Sequence, residues 1–158
     1  MKKSIIFTVL FGLCLSFSMA GNRQLTDFQA ILDALKTGHK VRAVFHYKDC
    51  QLISDNEIEE NVPDAIGGMD LDTFEYFAPG SIRNKEGFIS ASKTVLISHP
   101  RYGYVHNYAK VRIQDDGKVR IIARYLAPGT LETKMDESFY TTVNDKKNKG
   151  AAYFYLID

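Results

Sequence analysis

GYVHNYAKVRIQDDGKVRIIARYL, residues 103–126, holds two runs of alternating apolar and polar side chains on either side of Asp115-Asp116-Gly117. Period-two alternation around a tight-turn tripeptide is the pattern of an antiparallel β-hairpin. Folding the two strands about that turn sends Val105, Val111, Ile113, Val119, Ile121, Ala123 and Tyr125 to one face, the face a core requires. The opposite face collects Tyr104, His106, Tyr108, Lys110, Arg112, Arg120 and Arg124. Working outward, turn chemistry recurs at 100–103, at Pro128-Gly129 and at 144–150. Strands are therefore expected at 88–98, 103–113, 118–126, 137–143 and 151–157. Pairing residue 98 with residue 104 sets His106 opposite Leu96, so His99 and His106 are not expected to share a site.

Upstream, Thr26 and Gln29 have capping-box spacing, and Phe28, Ile31, Leu32 and Leu35 fall at i, i+3, i+4 and i+7 before Gly38. That spacing predicts one amphipathic helix over 27–37. Val41, Ala43, Phe45 and Tyr47 alternate with Arg42, Val44 and His46, the period of a strand with one face in the core. Residues 73–77 have strand composition, whereas 55–61 and 63–70 read as loop. The expected fold is mainly β (α+β): an antiparallel meander forming a curved sheet or a small barrel, with the N-terminal helix on one face or plugging an end.

The chain has 158 residues, the size of one domain. Lys2 and Lys3 precede an apolar stretch over 5–17, and Ser18-Met19-Ala20 places small residues before Gly21. This is the pattern of a Sec-type signal peptide over 1–20, followed by a single globular domain over 21–158 that is periplasmic or secreted. Leu13 before Cys14 argues against a lipid anchor, and no apolar run reaches the roughly 18 residues of a spanning helix. Loss of Lys2 and Lys3 turns the net charge of +1 into −1, which offers nothing to a nucleic acid. Charge is nevertheless segregated: between Lys48 and Arg83 lie nine acidic residues and no Lys or Arg.

Aromatics interleaved with cations on the hairpin's polar face suit an anionic ligand, a glycan or an acidic segment of a partner protein, with Tyr104, His106, Tyr108, Arg112 and Arg124 as the candidate binding residues. The same pattern also fits the wet face of a one-sided sheet. A second candidate is a nucleophile or redox group made by Cys50 with His46 and Asp49, although four residues of strand would hold His46 about 13 Å from Cys50 unless the chain turns at Asp49. Left alone after signal cleavage, Cys50 is a buried hydrophobe or the link of a dimer. Asp55, Glu57 and Glu59 alternate like calcium ligands, but Glu60 stands where an EF-hand loop needs glycine. No HExxH, CxxC, GxSxG or Gly-rich phosphate loop is present, so no metal or cofactor is expected.

An N-terminal helix ending in Leu35-Lys36-Thr37-Gly38, a strand running into Tyr47-x-x-Cys50, an acidic segment with Gly67-Gly68, and Ile89-Ser90-Ala91-Ser92-Lys93 leading a β meander resemble the VirK family of bacterial exported proteins, named after a plant-pathogen virulence regulon. The resemblance covers about residues 25–157. It implies an exported, virulence-associated protein. The family has no established enzymatic activity, so the resemblance carries over no catalytic residue.

Overall fold

A computed structural model describes residues 23–54 and 57–157. The expected signal peptide lies outside the described residues. Eleven strands and one helix follow in the order β1 (Arg23–Leu25), α1 (Phe28–Lys36), β2 (Lys40–His46), β3 (Gln51–Ser54), β4 (Glu57–Glu59), β5 (Ile66–Asp70), β6 (Phe74–Phe77), β7 (Phe88–His99), β8 (Gly103–Gln114), β9 (Lys118–Leu126), β10 (Thr133–Thr142) and β11 (Ala152–Ile157). They form two antiparallel sheets. The larger has the order β4-β3-β10-β9-β8-β7-β6 and the smaller β1-β11-β2-β5.

The hairpin pairs as its alternation requires. Val111 faces Ile121 and Ile113 faces Val119, and all four side chains are buried. Tyr108 lies opposite Arg124, Arg112 opposite Arg120, and His106 opposite Leu96 on β7, so the polar set shares the other face. A meander of consecutive strands runs from β6 to β10. It then stops: β11 leaves this sheet and inserts between β1 and β2 of the smaller one. The open alternative is the one realised, as two sheets that do not close into a barrel.

Helix α1 buries Phe28, Ile31, Leu32 and Leu35 in a core shared with Val41, Ala43 and Phe45 of β2, Phe154 of β11, and Ile89, Ile113, Ile121 and Phe139 of the large sheet. Its N-cap is Asp27, whose Oδ1 accepts the Ala30 N–H at 2.8 Å, and not Thr26. Gln29 turns away to donate to Asp33 Oδ1 at 2.7 Å, so no capping box forms. The cap moves by one residue because Asp and Thr both serve that position by composition.

Two segments read as loop are strands. β4 is a short outer strand whose Glu57 and Glu59 are exposed, and β5 contains Gly67 and Gly68. Glycine lowers strand propensity, but here close approach demands it. A Cβ on Gly67 would lie 2.7 Å from Tyr47 Cε2, and one on Gly68 2.6 Å from the Ala43 carbonyl oxygen.

Candidate functional site

The polar face of the large sheet is built row by row from cross-strand partners. One row runs Ser90, Arg112, Arg120, Tyr140 across β7, β8, β9 and β10, and a second runs Thr94, Tyr108, Arg124, Asp136. Tyr104 and His106 lie further along β8 towards the turn at 100–103. Four strand residues span about 13 Å, so Tyr104, His106 and Tyr108 do not converge with Arg112 on one small ligand. The structure separates the five expected binding residues: Arg112 stands at one end, and Tyr104, His106 and Tyr108, the last opposite Arg124, lie towards the other.

Arg124 is already neutralised. Its Nε–H is poorly aligned for a hydrogen bond, yet Nε lies 3.0 Å from Asp136 Oδ2, and that contact raises the guanidinium further above its ordinary range. Arg112 and Arg120 are different. They stand directly opposite each other across β8 and β9, and among the described residues neither forms an ion pair. Like charges directly opposite on a sheet cost a few tenths to about 1 kcal/mol. Arg112 packs its guanidinium 3.7 Å from the centroid of the Phe88 ring, and its Nε is buried without a hydrogen-bond partner. Arg120 donates from Nη2 to Ser138 Oγ at 3.1 Å and sits 5.4 Å from the Tyr140 ring centroid. Between them opens a cleft of about 290 Å³, lined also by Gln114, Lys118 and Tyr140. Lys118 is held 2.6 Å from Asp116 Oδ2 and Gln114 donates to Glu86 Oε2 at 2.9 Å, so the two arginines are its uncommitted charges.

Phe88, Ser138 and Tyr140 lie outside the hairpin's own alternation: Phe88 is on the neighbouring strand β7, and Ser138 and Tyr140 reach the site across a longer connection, since β10 begins at Thr133 and its register shifts between Thr133 and Met135. Arg120 is legible as a member of the face. Its pairing with Arg112 follows from the same alternation that fixes the hairpin.

The alternative centre at Cys50 takes a different form from the one its residues suggest. The chain does turn, through a short 3-10 segment at Tyr47–Asp49. The turn brings the thiol to the backbone of His46, with Sγ donating to the carbonyl oxygen at 3.5 Å, while the imidazole packs 4.7 Å from the Tyr153 ring. Cys50 is buried, and burial first, then Asp49, pushes its thiol up to about 11. That is the reverse of an activated nucleophile. Of the calcium candidates, Asp55 lies outside the described residues, while Glu57 and Glu59 project from an exposed strand. Among the described residues no group of three His, Cys, Asp or Glu is placed to hold a metal ion. No described helix is long and apolar enough to cross a membrane.

Fold and site together define an α+β protein of two open antiparallel sheets whose polar groups are displayed on a sheet face. A family model described as VirK protein matches residues 24–131, most of the chain, and the chain belongs to the VirK family. The crystal structure of lpg1832, a VirK family protein from Legionella pneumophila, is similar at a TM-score of 0.61, with 17% identity over 83% of this chain and 97% of that one. At that identity the likeness is one of fold. No curated protein matches the chain.

Proposed function

We propose that this VirK-family chain is an exported, non-enzymatic binding module that takes an anionic group, from a small ligand or an acidic partner segment, between Arg112 and Arg120. The observation that carries this reading is the opposition of two guanidiniums without a carboxylate, one of them with a buried and unpartnered Nε–H. An oxyanion there would offset the like-charge cost and accept the donor. Phe88 fixes the Arg112 guanidinium and Ser138 that of Arg120, so the site is preorganised on strands. Export is supported by the charged and apolar pattern of residues 1–20.

The test is a titration with inorganic sulfate and with a soluble acetylated diglutamate peptide, followed by backbone amide shifts. Shifts centred on Arg112, Arg120 and Ser138 are expected, lost in Arg112→Ala/Arg120→Ala and retained in Arg124→Ala. Equal responses from all three proteins would remove the assignment.

A further inference from the structure

The opposite side of the large sheet carries a second surface that the arginine site does not use. β5 is the outer strand of the small sheet. The bonds Tyr47 N–H to Ala65 O and Leu71 N–H to Val41 O set its parity, so Ala65, Gly67, Met69 and Leu71 bond to β2. The N–H and C=O groups of Ile66, Gly68 and Asp70 then point the other way, where no strand of the described residues follows. Beyond that edge lies a cleft of about 410 Å³ between Gly68, Met69 and Asp70, the last ion-paired with Arg42 at 2.7 Å, on one side and Lys93, Val95, Asn107 and Ala109 on the other.

One cross-strand row starts at this cleft, with Lys93 and Ala109, and runs on across the sheet. Lys93 pairs with Ala109, Ala109 with Ala123, and Ala123 with Glu137. Three strand spacings make a track of about 14 Å, the length of four residues of extended chain. Its centre is Ala109, which lines the cleft, and Ala123, and its ends are oppositely charged. Tyr47 closes the far end. Its ring lies against Gly67 of β5, and its phenol is held up by burial and by neighbours that include Tyr125 and Glu137. Lys93 has Asp72 at 3.4 Å, but Glu137 has no cation among the described residues. Glu137 is half-buried, and burial followed by the nearby Glu59 raises its carboxyl above the ordinary range.

We propose that the free edge of β5 and the cleft beside it receive an extended segment of a partner polypeptide as an added β-strand, with a lysine or arginine of that segment reaching along the row to Glu137. The outward N–H and C=O groups specify a strand, since nothing else matches their repeat. The unpaired carboxylate specifies the sign of the partner's side chain. A second copy of this chain fits less well, because antiparallel pairing of two β5 edges about Gly68 sets Ile66 against Asp70 and brings no cation to Glu137.

A phage-displayed heptapeptide library panned against the protein supplies the probes. Enriched peptides are synthesised with a fluorophore, each in a plain form and in one with alternate amides N-methylated, and measured by anisotropy. Enrichment of a basic residue among alternating apolar ones is expected, as is loss of binding by the N-methylated form. Ile66→Pro, which removes an outward donor at an exposed position, and Glu137→Gln should each weaken binding about tenfold or more. Arg112→Ala/Arg120→Ala should leave it unchanged, which separates this surface from the anion site. Enrichment without a basic residue, equal binding of the N-methylated peptide, or no enrichment at all would overturn the proposal. So would a dimer of the free chain that Ile66→Pro dissociates, which would assign the edge to a second copy.

Discussion

Burial decides the chemistry of Cys50 more than its neighbours in sequence do. With its thiol pushed up to about 11, only about one molecule in ten thousand carries a thiolate at pH 7. Maleimide labelling of the folded protein at pH 7 should therefore be slow, and should accelerate sharply when urea unfolds it. A native rate equal to that of free cysteine would make the residue a candidate nucleophile again. Glu137 gives a pH signature of the opposite practical kind. Its folded pKa is raised above the ordinary 4.5, so the stability it contributes is present below that value and lost as pH rises through the folded pKa. Replacing it with Gln, which imitates the protonated form, should raise the melting temperature at pH 7, with the gain vanishing near pH 4. A gain of equal size at both pH values would place the effect in packing and not in charge.

At the scale of elements, the contrast between β5 and the hairpin of β8 and β9 shows what sequence patterning can and cannot convey. The hairpin was legible because its side chains alternate without interruption and its turn is spelled Asp115-Asp116-Gly117, so strand bounds, register and the outward set all followed. β5 was illegible because two of its five residues are glycines, and the reason for them lies in tertiary neighbours: a phenol ring and a carbonyl of β2. The same holds for the arginine site, whose arginines alternate visibly while Ser138 and Tyr140 are placed by register across the longer connection into β10. The two glycines should differ in consequence. Gly68→Ala drives a methyl against backbone and should cost about 1–3 kcal/mol in urea unfolding, within the range for overpacked sites. Gly67→Ala meets the far end of the Tyr47 side chain, so Tyr47→Leu should recover much of its loss. Equal costs, with no recovery, would mean that the Tyr47 ring is as immovable as the backbone.

Across the whole molecule, the order of the small sheet makes the ends of the chain depend on each other. Among the described residues β1 pairs only with β11, through Arg23 with Leu156 and Leu25 with Phe154, and β11 in turn separates β1 from β2. The small sheet therefore lacks its second strand until the last residues are in place. The large sheet is local in sequence from β6 to β10, but its apolar face is covered by α1 and by the small sheet, through Phe45 and Phe154. Neither sheet has a core of its own. A chain ending at Gly150 should consequently lose more than one strand: near-ultraviolet circular dichroism should collapse, a hydrophobic dye should bind, and the amides of Val111 and Ile121 should lose exchange protection although their hairpin is intact. Phe154→Ala is the milder form of the same experiment. It should cost about 3–5 kcal/mol and preserve one unfolding transition seen alike by probes in either sheet. Retained protection at Val111 and Ile121 in the truncated chain would show instead that the meander is an independent unit, with the small sheet added to a fold already complete.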